Sequence, residues 1–67
     1  MKLVKVIEVI STSEKSFDDA VQNAVTEASQ TLKNIKSVYV NEMNAKVENN
    51  KIVSYGVNAK ISFELER

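Results

Sequence analysis

Lys51-Ile52-Val53-Ser54-Tyr55-Gly56-Val57-Asn58-Ala59-Lys60-Ile61-Ser62-Phe63-Glu64-Leu65 alternates almost without error. Val53, Tyr55, Val57, Ala59, Ile61, Phe63 and Leu65 fall on one parity, and Ser54, Gly56, Asn58, Lys60, Ser62 and Glu64 on the other, with only Ile52 out of phase. Successive strand side chains point to opposite faces, so the stretch reads as one strand with a dry face and a wet face. At about 3.3 Å per residue it would span roughly 50 Å. A chain of 67 residues has no need of so long a strand within its own fold. The length predicts an apolar surface that other subunits continue.

Upstream lies a second strand, Ser37 to Val47, joined to the first by Glu48-Asn49-Asn50 as a three-residue turn. Its pattern changes phase: Val38 and Val40 share one parity, Met43, Ala45 and Val47 the other. One extra residue, a bulge near Asn41-Glu42, explains the change. The turn sets Met43, Ala45 and Val47 on the face of Val53, Tyr55 and Val57, and the bulge brings Val38 and Val40 to it. Ser37 and Tyr39 are then thrown to the opposite face, which they share with Gly56.

Ser16 to about Lys33 carries the helical spacing. Phe17, Ala20, Val21, Ala24, Val25, Ala28 and Leu32 make one continuous stripe. Ser16 with Asp19 forms a relative of the capping box, and Asp18 and Asp19 sit where the helix dipole favours anions. Lys33 and Lys36 have the favourable sign for the other end. The three alanines let a sheet approach closely, while Gln22, Asn23, Thr26 and Gln30 form a polar face. Leu3 to Ile10 is a further strand, apolar on both parities and so expected to be buried on both sides. The helix can cover one side and a neighbouring subunit the other.

These elements define an α+β fold of order β-α-β-β, with a three-stranded antiparallel sheet in the order 1-3-2 partly wrapping one helix. Residues 1–67 form one domain. A domain of this size buries only about 60% of its unfolded surface, and the chain has neither Cys for disulfides nor His for metal sites. Oligomerisation is the remaining source of buried area. Nine basic residues balance nine acidic ones, so no net field draws nucleic acid or acidic lipid. No apolar run approaches the roughly 20 residues of a membrane span. The N-terminal residues lack a signal-peptide core, and the Cys-free composition suits the cytoplasm.

Val4-Lys5-Val6-Ile7-Glu8, then Thr12-Ser13 and Ser16-Phe17, the ladder Ala20/Ala24/Ala28 with Thr31, and Tyr55-x-Val57 leading to Ile61-x-Phe63 together resemble the dodecins. The resemblance covers nearly the whole chain. It implies a hollow homo-dodecamer of cubic 23 symmetry that stores or scavenges flavin (FMN, FAD or riboflavin) and is no enzyme. Flavin-binding dodecins stack the flavin ring on a tryptophan at the start of the second strand and bond its pyrimidine edge with a glutamine on the third. Those positions here are Ser37 and Gly56, the family's Gly before Thr-Ser is Ser11, and the chain has no Trp. An aromatic platform contributes about 1–3 kcal/mol per stacked ring in comparable systems, so flavin binding is expected to be weak or lost unless Tyr39 or Tyr55 substitutes. The Trp-less pattern is closer to a calcium-dodecin-like subgroup. That makes a structural or ion-binding dodecamer without flavin the alternative function.

The resemblance thus puts Ser37, Gly56 and Tyr39 at or near a ligand pocket. Each also has a plain reading in interface packing, as Tyr39 and Tyr55 do in half-buried strand packing. Glu48-Asn49-Asn50 supplies oxygen ligands of the kind calcium accepts, though without the spacing of a calcium loop, and a turn accounts for it. Symmetry could assemble an ion site from Glu8, Glu42, Glu64 or Glu66 of several copies, so no metal ligand is assigned. With no His, no Cys and no Gly-rich phosphate loop, nothing in the sequence supports catalysis.

Overall fold

The computed structural model describes residues 2–65. Its elements are β1 (Leu3–Ser13), α1 (Phe17–Ala28), β2 (Ile35–Glu48) and β3 (Lys51–Leu65). The sheet is antiparallel, with β3 between β1 and β2. The order 1-3-2 follows from the chain: the longest and most regularly alternating strand can satisfy a neighbour on each side.

Residues of odd number on β3 face the helix. Val57, Ala59, Ile61 and Phe63 are buried there against Ala20 and Ala24 of α1. Ala20 and Ala24 bring the helix axis close to the sheet, and Phe17 meets Tyr55 edge to face, ring centroids 5.0 Å apart. At the start of the helix, Ser16 Oγ accepts from the Asp19 amide at 2.9 Å, the first half of a capping box. The Asp19 carboxylate does not return to Ser16. It accepts instead from Ser13 Oγ at 2.7 Å, which pins the end of β1 to the first helical turn.

The helix ends at Ala28, well short of Lys33. Ser29-Gln30-Thr31 form a turn in which Ser29 Oγ donates to the Thr26 carbonyl at 2.7 Å and the Leu32 amide to the Ala28 carbonyl at 2.9 Å. Ser and Thr hydroxyls compete with the helical backbone for its own carbonyls. Asn34 then takes a left-handed conformation, φ 63°, and its carbonyl accepts from the Glu64 amide, turning the chain into β2. Lys33 and Lys36 therefore lie beyond the last helical turn, which holds no basic residue.

Register between β2 and β3 departs from a simple ladder three times. Val40 pairs with Ala59 and Glu42 with Asn58, so Asn41 is the extra residue predicted from the phase change. A second offset, between Ile35 and Ser37, lets β2 begin two residues earlier than its alternation suggests. The third answers the anomaly of Ile52. Glu48 pairs with Lys51, leaving a loop of only Asn49 and Asn50, both left-handed (φ 53° and 65°), as a type I′ turn demands. Val47 then pairs with Ile52 but Lys46 with Ser54, so Val53 bulges out of β3. The shorter turn and the added bulge offset one another, and the expected faces survive.

The molecule is long for its mass. Its principal extents are 52 × 20 × 13 Å and its Cα radius of gyration is 13.8 Å, against about 11 Å for a compact chain of this length. It exposes 5122 Å², roughly 900 Å² more than the size law gives for 7.5 kDa. Val40 and Met43 lie on the helix-side face of β2 and remain 42% and 59% exposed, because α1 sits over β1 and β3. On the opposite face Val4, Val6 and Ile10 of β1 are also uncovered. Among the described residues no helix is long and apolar enough to cross a membrane.

Candidate functional site

The sheet face turned away from α1 carries every residue singled out as a pocket candidate except Tyr55. Ser37 pairs with Ser62, Tyr39 with Lys60, and Gly56 with Thr12 on one side and Asn44 on the other. The Asn41 bulge is what puts Ser37 and Tyr39 there: without it their parity would aim them at the helix. Tyr55 is on the other face, packed against Phe17, as its strand position alone would suggest.

Within the chain these positions do not converge. Ser62 and Gly56 are six residues apart on β3, roughly 20 Å, and Ser37 and Gly56 are separated by about the same distance. Ser37 is half-buried, and its hydroxyl shares a hydrogen bond with Ser62, which is buried. Tyr39 is 59% exposed. Gly56 is buried and is overlain by the Asn44 side chain: a Cβ added there would lie 3.0 Å from Asn44 Oδ1.

Asn44 escaped the sequence reading for a definite reason. A three-residue turn sets it opposite Ser54, whereas the two-residue turn and the Val53 bulge slide it to Gly56. Two adjacent asparagines at the hairpin tip, both tolerant of φ > 0, were the available signal for the shorter turn.

The acidic candidates are dispersed. Glu8 pairs across to Lys60, Glu42 to Asn58, and Glu64 is 3.6 Å from Lys2. Glu48 lies 3.7 Å from Lys46 beside the Asn49-Asn50 turn. Glu66 falls outside the described residues. Among the described residues no three acidic side chains come together.

The described residues also line two hollows. One, about 330 Å³, runs between α1 and the outer strand β1 and is lined by Ile7, Val9, Ala24, Ala28 and Leu32 with Asn23 and Glu27 at its rim. The other, polar and open, lies at the helix start beside Ser13, Asp19 and Ser54. Ser13 and Asp19 are engaged with each other there, which marks the spot as a structural junction.

A β-α-β-β chain whose three-stranded sheet leaves apolar residues uncovered on both faces defines a fold class, and the family comparison agrees with it. The dodecin family model matches residues 3–66, and the chain belongs to that family. Dodecin from Streptomyces coelicolor is 36% identical, with a TM-score of 0.93 over 98% of this chain and 94% of that one. A mutant dodecin from Thermus thermophilus is 28% identical, with a TM-score of 0.95 over the full length of both chains. The calcium dodecin of Mycobacterium tuberculosis, described as a calcium-chelating immunodominant antigen with a novel calcium-binding site, is 28% identical, with a TM-score of 0.83 over 96% and 91%. No match was found among curated proteins.

Proposed function

We propose that the chain is the subunit of a homo-dodecameric, non-enzymatic cytoplasmic shell that holds a small ligand between copies, on the sheet face away from α1. One observation carries this reading: Ser37, Tyr39 and Gly56 share that face yet are strung along about 20 Å of β3, so a second copy is needed to bring such positions against one ligand. The exposed surface supports the same view. An excess of roughly 900 Å² is close to the approximately 800 Å² per partner of a standard interface.

Flavin is the ligand class that the family suggests, and its affinity here is expected to be low. Where a ring would stack, Ser37 offers a hydroxyl already bonded to Ser62. Losing one such platform costs about 1–3 kcal/mol, and a sandwiched pair of flavins would lose two. Light scattering and a riboflavin fluorescence titration test both halves of the proposal. Twelve copies and quenching weaker than micromolar are expected. A stable monomer would refute the shell, and micromolar or tighter quenching would refute the argument from Ser37.

The similarity to a calcium-chelating dodecin favours a second reading, an ion-binding assembly without flavin. Glu8, Glu42 and Glu64 all lie on the same outer face, where symmetry could gather carboxylates from several copies. Heat released on calcium titration of the assembled protein, absent after Glu42→Gln or Glu8→Gln, would favour this reading over the first.

A further inference from the structure

The β2–β3 hairpin outruns the rest of the fold. β1 stops at Ser13, opposite Tyr55, and α1 begins at Phe17, which packs on that same Tyr55. Residues 46–54 lie beyond this point as an arm of two strands with no third strand beside them. Val47 pairs with Ile52 on the face that carries α1, and the two are 58% and 55% exposed. Lys46, Glu48 and Lys51 take the other face. A two-stranded hairpin is only marginally stable in water, so an arm with an apolar face needs something to pack on. A surface of opposite shape lies between α1 and β1. The hollow of about 330 Å³ there is lined by Ile7, Val9, Ala28 and Leu32, and it sits at a sheet edge, since β1 pairs with β3 alone. The chain's own arm cannot fill it. The arm leaves the fold at the start of α1 and runs the other way, whereas Ala28 ends α1, roughly 16 Å along its axis.

We infer that the hairpin arm of one copy seats in the α1–β1 groove of a second copy, with Val47 and Ile52 turned toward that copy's helix. The apolar face of the arm is the face of the sheet that carries α1. Laid against a second α1, it leaves both sheets turned the same way and their polar outer faces continuous. The arm then also lies beside β1, covering an edge that would otherwise recruit stray strands. The surplus of roughly 900 Å² over a compact chain of this mass is enough for one such contact, which takes about 800 Å² from each partner. The inference rests on the reading that copies of this chain assemble into a shell. It adds which two surfaces meet: an arm and a groove, rather than arm with arm or groove with groove.

The chain has no Cys, so introduced thiols report the contact directly. Two double variants are made, Val47→Cys with Ala28→Cys and Ile52→Cys with Leu32→Cys, along with the four single variants. Each is treated with a short bismaleimide and run on a denaturing gel, and its assembly is checked by light scattering. Within one chain Val47 and Ala28 lie roughly 25 Å apart, about 16 Å of helix plus about three strand residues, so a short linker can join them only between copies. Most chains of at least one double variant are expected to shift to linked dimers or larger products, while the single variants stay unlinked. Linking of the Val47→Cys or Ile52→Cys single variant would show that arms meet arms and would overturn the inference. So would the absence of links from both double variants in assembled protein, and the shell would stand without it. Single copies in light scattering of the unaltered protein would overturn the shell and the inference together. Should one double variant fail to assemble, the other decides; should both fail, the arm variant Val47→Lys decides, and full assembly of that variant refutes the seating of the arm.

Discussion

Replacing Ser13 by Ala should destabilise the protein more than removing the helix N-cap. The Ser13 hydroxyl is buried, donates to the Asp19 carboxylate at 2.7 Å, and accepts from the Lys15 amide at 2.9 Å and the Ser16 amide at 3.4 Å. A hydrogen bond to a charged group contributes about 1.5–3 kcal/mol, and a carboxylate left short of a donor has a further desolvation cost. Lys15 is an exposed residue, so water can replace the bond to its amide and that loss adds little. The sum is about 2–3 kcal/mol per subunit, against about 1 kcal/mol for Ser16→Ala, which removes an ordinary cap. Urea unfolding followed by circular dichroism measures both, at one fixed protein concentration, since the proposed assembly would couple stability to concentration. Asp19→Asn, which keeps an acceptor but not the charge, should fall between them. If Ser13→Ala costs no more than Ser16→Ala, the junction between β1 and α1 is not the anchor described above.

At the hairpin tip, Asn50→Val places a β-branched residue at φ 65° and should cost about 1–2 kcal/mol, whereas Asn50→Gly should be neutral or slightly stabilising; thermal unfolding of the two variants checks the type I′ assignment. Met43→Glu puts a charge on the uncovered helix-side face of β2, and light scattering should show species smaller than twelve copies with the circular dichroism spectrum retained. Full assembly of that variant would mean this face is not an interface. Ser37→Trp combined with Gly56→Gln should raise riboflavin affinity at least about tenfold from ring stacking alone. The new Gln must displace the Asn44 side chain to fit, and no gain in fluorescence quenching would show that these positions do not line a flavin site.

Period and phase made most of the fold legible. The alternation of β3 and the three alanines of α1 are written directly in the residues, and the phase change of β2 located the Asn41 bulge and with it the face of Ser37 and Tyr39. What the pattern could not resolve were errors that cancel. A two-residue turn followed by the Val53 bulge preserves which face each side chain takes, so alternation is blind to it, and only the cross-strand partner of Asn44 moves. The helix end was misplaced because Leu32 continues the apolar stripe past Ser29, whose hydroxyl has already taken the Thr26 carbonyl and capped the helix. The candidate site was legible as a set of positions on one face. It was not legible as a pocket, because Ser37 and Gly56 lie far apart along the sheet and do not converge within the chain.

The central strand is also made after both of its neighbours. Leu3 pairs with Leu65 and Ser13 with Tyr55, so β1 must wait for β3 to leave the ribosome before it has a partner. The β2–β3 hairpin closes locally, but pairing of such sequence-distant segments carries a high loop-closure entropy and is slow. During that interval the aliphatic side chains of β1 are open to any chaperone, or to any sister chain emerging from the same message. Crowding of nascent chains on a polysome would bring such unpaired strands together and raise the exposure to aggregation during that wait.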